Sequence, residues 1–171
     1  MPFTIRPAQP HDREAVIALA PRLEAFGPPE NIPPNELALA EARALNDAFD
    51  QMPSGAALYV AVDASGTVLG SVFLETKVDY FTQRRHGHVG ILTVAKEVEG
   101  QGVGRALLGA ADEWGVANGY DRLTLFVFEK NVRARALYER ADYAPDLVRY
   151  RKDLSAPVLA PAILSRPQEG R

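Results

Sequence analysis

The chain predicts a mixed α/β fold of the α+β kind, with a mostly antiparallel central sheet flanked by helices. Three observations carry that prediction. Apolar or alternating runs over 57–62 and 67–78 are joined by Asp63-Ala64-Ser65-Gly66, turn chemistry that folds a strand back on its neighbour. A further strand-like run over 87–94 meets a glycine-rich turn, after which Val103, Leu107, Ala110, Ala111 and Trp114 recur at helical spacing. Ahead of these, one strand and two helices precede the meander, so helices are available to cover a sheet.

In order, residues 3–6 read as a short first strand, and Asp12 as the cap of a helix running to about residue 23 through Ala15, Val16, Leu19 and Ala20. Pro28, Pro29, Pro33 and Pro34 punctuate a loop, and a helix rich in Ala, Leu and Glu follows over 35–49. The helix over 102–118 closes on Asn118-Gly119, a left-handed cap. A strand-like run over 123–128 leads into a helix over 131–140. Residues 146–152 read as a final strand, Val148 and Tyr150 alternating with Arg149 and Arg151. The expected organisation is one domain over 1–154 and a proline-containing tail over 155–171, either a disordered extension or an arm laid on a partner.

Composition narrows the class. A chain of 171 residues, 47% hydrophobic and 24% charged, fills one core and is too short for two full domains. No apolar run reaches the roughly 18 residues that span a bilayer, and the N-terminus lacks a basic-then-apolar signal, so the expected location is cytoplasmic with no membrane partner. Zero cysteines exclude disulfides, thiolate zinc sites and an acyl-cysteine intermediate. A net charge of -3 leaves no footprint for nucleic acid.

The most informative segment is Glu99-Gly100-Gln101-Gly102-Val103-Gly104-Arg105. Glycines let main-chain N–H groups approach an anion, and the helix behind adds unpaired donors and the positive end of its dipole. Phosphate is the ligand this arrangement suits. A dinucleotide loop needs G-x-x-G after the first glycine pair, but the required glycine falls at Leu107, or at Arg105 when counted from Gly100. A triphosphate loop needs Gly-Lys, and the chain contains no such pair. No G-x-S-x-G serine elbow is present either.

The segment resembles the [QR]-x-x-G-x-[GA] signature of the GNAT superfamily of acyl-CoA-dependent N-acetyltransferases, with Glu99 in place of Gln or Arg. A carboxylate beside a pyrophosphate is repulsive, so Glu99 is expected to point outward. A second stretch, Asn131-Val132-Arg133-Ala134-Arg135-Ala136-Leu137-Tyr138, resembles the family's N-x-x-A-x-x-[LF]-Y motif at the expected distance. Ala141-Asp142-Tyr143 replaces the Gly-Phe pair that usually follows. Asn131 can also act as a plain helix cap, and Tyr138 as a core tyrosine.

The resemblance implies the GNAT fold, in which the fourth and fifth strands splay apart, and acetyl-CoA as co-substrate with no metal. Backbone at Leu92, Thr93 and Val94 would then pair with pantetheine, while Gly100, Gln101, Gly102, Val103, Gly104 and Arg105 hold the pyrophosphate. Asn131 would touch pantetheine or nearby backbone, and Tyr138 would serve as acid for the departing thiolate. The position of the family's catalytic glutamate falls on His88, whose ordinary pKa of about 6.5 suits a base. Glu75 on the neighbouring strand and a water chain are the alternatives, and His88 can be a polar strand residue only. A metal reading of His86, His88 and Asp79 is weaker, since such clusters are usually solvated.

The acceptor implied is a primary amine on a small molecule or peptide. Glu24, Phe26, Glu30, Glu36, Glu41, Tyr80, Phe81 and Tyr143 fall where the family walls its acceptor groove, and they suit a cationic amine, although helix carboxylates are more often a solvated face. The rival reading is a non-catalytic acyl-CoA sensor or interaction module. A homodimer enters by family habit alone.

Overall fold

The computed structural model describes residues 2–28 and 30–152, so the expected tail over 155–171 lies outside the described residues. Five strands form one sheet in the order β1 (Phe3–Pro7), β2 (Ala57–Asp63), β3 (Val68–Val78), β4 (Arg85–Val94) and β5 (Leu123–Leu125). The first four pair antiparallel, and β5 runs parallel to β4.

Helices α1 (Arg13–Ala18) and α2 (Glu36–Asp50) cover one face, where Val16, Leu45 and Ala48 pack on Leu58, Val60, Phe73 and Ile91. On the other face lie α3 (Val103–Ala117) and α4 (Val132–Glu139). There Val103, Leu107, Leu108, Ala111 and Trp114 bury themselves against Val72, Leu74 and Val89, with Leu137 and Tyr138 at the margin. Each face of the sheet therefore has its own apolar cluster, as a two-sided layer architecture requires.

Three expected elements differ. The helix expected over 12–23 stops at Ala18 and tightens into a 3-10 turn, Ala20–Glu24. Pro21 is the cause: it lacks an N–H and disfavours α geometry in the residue before it. Asp12 does not cap α1; its buried carboxylate instead accepts from Arg6 at 2.6 and 2.9 Å and from the Gln9 N–H at 2.7 Å. The strand expected over 123–128 ends at Leu125, and residues 146–152 form no strand at all. With β5 this short, that segment has no ladder to join, and Leu147, Val148 and Tyr150 stay exposed.

Two irregularities interrupt the pairing of β4. On the β3 side, Phe73 pairs with Ile91 and Leu74 with Val89, so Gly90 is the extra residue of a β-bulge. On the β5 side, pairing covers only Gly87 to Val89, while β4 continues to Val94. Beyond Val89 the two strands separate, which leaves one edge of β4 open.

Candidate active site

The opening between β4 and β5 is the floor of a groove of about 440 Å³. Leu92, Thr93 and Val94 line it, with Gly100, Gly102, Val103, Gly104 and Arg105 at one end and Asn131 and Tyr138 on α4. Ten of the residues that the sequence singled out thus meet in one place. Thr93 contributes backbone only, because its side chain is buried and its hydroxyl lies 2.9 Å from that of Ser71 on β3.

Gly100 and Gly102 adopt φ of +76° and +88°, left-handed values that an L side chain rarely takes. A Cβ at either would meet nothing within 4 Å, so the space over both is open. Gly102 caps α3, and the first intrahelical bond runs from the Ala106 N–H to the Gly102 carbonyl at 3.0 Å. The Val103, Gly104 and Arg105 N–H groups precede that bond, so they present the free donors of a helix start. This end of the groove fits a phosphate. Gln101 takes no part in the wall: its N–H donates to Val98 O at 3.2 Å and its amide to Glu97 O at 3.2 Å.

Glu99 does not point outward. It lines the groove, where its carboxylate accepts from both Arg22, on the Ala20–Glu24 turn, and Arg133 on α4. The hydrogen bond from Arg133, with help from Arg22, holds its pKa below the usual carboxylate value. Two arginines neutralise the repulsion that a bare carboxylate would create here.

Tyr138, on α4, lines the same groove. Burial raises its hydroxyl to about 12, so it is protonated throughout the neutral range. Asn131 Oδ1 accepts from the Ala134 N–H at 3.2 Å, a helix cap that still lines the groove. Cap and wall are compatible, since two helical turns bring Tyr138 back to the Asn131 face.

His88 lies on β4 cross-strand from Glu75, but its side chain is not part of the groove wall. Its Nδ1 is 2.8 Å from Thr124 Oγ1 on β5, and Phe126 covers the ring at 5.1 Å. Burial, and then Lys77, depress its pKa below 6.5, so the imidazole is neutral at pH 7. Glu75 approaches closer to the groove: its Oε2 would be 3.0 Å from a Cβ built on Gly90, which is a wall residue. Lys77 Nζ sits 3.0 Å from that same oxygen.

Leu23, Phe26, Leu37, Glu41, Phe126 and Phe128 complete the groove wall. Phe26 and Phe128 stack at 5.3 Å, and Glu41 has a raised pKa, first from burial and then from repulsion by Glu75. The other acceptor candidates lie elsewhere. Glu24 binds the N–H groups of Asn35 and Ala38 at the start of α2, Tyr80 and Phe81 are exposed on a hairpin, and Tyr143 packs on Tyr138. Asp79 pairs with Arg122 at 2.8 Å, which takes it out of a metal set with His86 and His88. Among the described residues, no group of three or more His, Asp or Glu is placed to hold a metal ion.

Sequence reasoning missed Gly90, Arg22 and Arg133. A lone glycine inside a strand is a bulge signal, so Gly90 was findable. The arginines were not, because 77 and 34 residues separate them from Glu99.

An anion seat beside an open strand edge, with a protonated tyrosine on the same groove, is the arrangement of a transferase of the acyl class. The model of the acetyltransferase (GNAT) family matches residues 23–143, and the chain belongs to that family. A mycothiol acetyltransferase of Propionibacterium freudenreichii is 40% identical over 105 residues, 61% of this chain and 32% of that protein. One of Beutenbergia cavernae is 39% identical over 83 residues, 48% of this chain and 26% of that protein. The chain thus spans about a third or less of these curated relatives. Among solved structures, a putative acetyl transferase from Pyrococcus furiosus shares the fold, with a TM-score of 0.72 and 21% identity over 90% of this chain and 100% of that one. No helix among the described residues is long and apolar enough to cross a membrane.

Proposed function

We propose that this protein moves an acetyl group from acetyl-CoA to a primary amine of a small molecule or peptide by direct transfer. The observation that carries the reading is the single groove that brings together the Gly100–Gly104 turn, the unpaired edge of β4 and Tyr138. Such a groove suits an extended donor with phosphate at one end and a thioester at the other. The free N–H groups at the start of α3 bind the phosphates, and backbone at Leu92 to Val94 pairs with the pantetheine amides. Arg105 adds charge to the phosphate end.

In the transfer itself, the amine nitrogen attacks the thioester carbonyl, a C–N bond forms and the C–S bond breaks. The bulged backbone at Gly90 lies beside the reacting carbonyl and offers it a main-chain donor. Tyr138 donates a hydrogen bond to the departing sulfur. The ammonium proton leaves toward Glu75, with neutral His88 beside it across the strand pair. The groove wall carries Glu41 as well as the Phe26–Phe128 pair, and a cationic amine fits beside them. The mycothiol acetyltransferase relatives are in keeping with a small-molecule acceptor. Cytoplasmic location and a homodimer belong to this proposal as well.

The test is thiol release from acetyl-CoA across a panel of amines, with Tyr138→Phe as control. Turnover on at least one amine, slowed by that substitution, is the expected result. Binding of CoA with no turnover on any amine would overturn the enzymatic reading.

A further inference from the structure

Glu99 is the position at which this chain departs from the family signature, and the structure turns that departure into a different device. A glutamate donates nothing to a phosphate. It does hold two groups that can: Arg22 reaches it from the α1–α2 side of the sheet, and Arg133 from α4 on the opposite side. Glu99 lies between them, just after the 3-10 turn Lys96–Val98 that follows β4, so the three side chains bridge the two banks of the groove beside the glycine turn.

The charge count favours an anion. Two guanidinium groups and one carboxylate leave +1 at this point, with Arg105 on the same wall adding to it. Donor capacity points the same way. A guanidinium carries five N–H donors. Glu99 engages Nη2 of Arg22 and Nη1 of Arg133, and Val94 O accepts from Arg22 Nε at 3.4 Å. Arg22 Nη1 and Arg133 Nη2 and Nε remain for a ligand. Side-chain exposures of 28% for Arg22, 64% for Arg133 and 23% for Glu99 show that the bridge meets solvent and is reachable by a ligand in the groove. Exposed ion pairs of this kind contribute little to stability, so their placement on the groove is better accounted for by binding than by folding.

We propose that Arg22 and Arg133 are a side-chain phosphate clamp and that Glu99 is the positioning residue that holds both in register. The backbone donors at the start of α3 take one side of the phosphate group, and the two guanidinium forks take the other. Fixing two long side chains before binding lowers the ordering cost that each would otherwise bring. The clamp rests on the acetyl-CoA reading of the groove. It specifies which side chains discriminate a phosphorylated acyl donor from the same acyl arm without phosphate.

The experiment measures equilibrium binding of three donors to the whole chain: acetyl-CoA, acetyl-dephospho-CoA and acetyl-pantetheine, the last carrying no phosphate. Arg22→Ala, Arg133→Ala and Glu99→Ala are each expected to weaken acetyl-CoA about tenfold while leaving acetyl-pantetheine unchanged. Glu99→Gln keeps one acceptor and is expected to fall between Glu99→Ala and the unaltered protein. Equal losses with acetyl-dephospho-CoA assign the clamp to the pyrophosphate, and losses confined to acetyl-CoA assign it to the 3′-phosphate. Either pattern supports the clamp. Thermal unfolding of each variant, expected to be unshifted, separates a binding loss from a folding defect.

Unchanged or tighter acetyl-CoA binding in Glu99→Ala would overturn the positioning role, and equal losses on acetyl-CoA and acetyl-pantetheine would overturn the clamp. An unaltered protein that binds none of the three donors would instead overturn the acetyl-CoA reading, and the clamp with it.

Discussion

Replacement of Tyr138 by phenylalanine separates two ways in which a tyrosine can help a thiolate leave. Burial places the Tyr138 hydroxyl at about 12. An ordinary thiol titrates near ~8.5, so complete proton transfer from Tyr138 to a thiolate is uphill by roughly 3.5 units, or about 5 kcal/mol. In the proposed transfer the hydroxyl therefore stabilises the departing sulfur by hydrogen bonding and keeps its own proton. A hydrogen bond to a charged partner contributes ~1.5–3 kcal/mol. Tyr138→Phe should thus lower kcat by roughly 10- to 150-fold, with acetyl-CoA affinity preserved because the ring still packs against Tyr143. The assay is release of free thiol at saturating acetyl-CoA between about pH 6 and pH 9.5. Over this range the deficit should be constant, since the hydroxyl stays protonated throughout. A loss above about 10⁴-fold, or a deficit that changes across the alkaline limb, would refute the hydrogen-bonding argument and restore full proton transfer. No loss at all would remove Tyr138 from the reacting atoms.

Three further outcomes are expected. Gly70→Ala puts a Cβ 2.6 Å from the Thr93 carbonyl, a backbone atom that can move only with β4; stability in urea should fall by ~1–3 kcal/mol and acetyl-CoA binding should weaken with it. Asp12→Asn should cost about 2 kcal/mol at pH 7, because it loses the charge-assisted bonds to Arg6. The Asp12 carboxyl titrates below its ordinary value, so its contribution is present above that value and is lost as pH falls through the folded one; urea titrations at pH 7 and about pH 3 should show the gap between the two proteins closing. His88 is also depressed, which for a base means that the unfolded chain takes up the proton first. Stability should decline as pH drops below about 6.5 until the folded value is passed, and His88→Gln should flatten that segment of the profile.

Much of this architecture was legible because local chemistry and tertiary need coincide at the decisive points. The glycine turn reads as an anion seat from three residues, and the positive φ at Gly100 and Gly102 is the reason glycine is there. Asn131 and Tyr138 sit on one helix, so helical periodicity alone brings them to the same wall. Where the reading failed, apolar side chains serve something other than a ladder. Phe126 and Phe128 look like the continuation of a strand, but one covers His88 and the other stacks on Phe26, and both line the groove. Alternation over 146–152 is real, yet a strand needs a partner and β5 stops too early to supply one. Glu99 was misplaced because its surroundings are set by arginines remote in sequence, which no local pattern reports.

The parting of β4 from β5 has a consequence for what can approach this protein. A strand with free N–H and C=O groups along one side ordinarily invites another polypeptide to add itself, the first step of aggregation. Here that side is sunk between Phe126 and Phe128 on one bank and the α3 turn on the other. An extended ligand with amide groups of its own, as in the proposed donor, can pair with that edge without bringing a sheet behind it. The residues along this groove thus crowd the place that a neighbouring strand would take, while the backbone edge itself stays open.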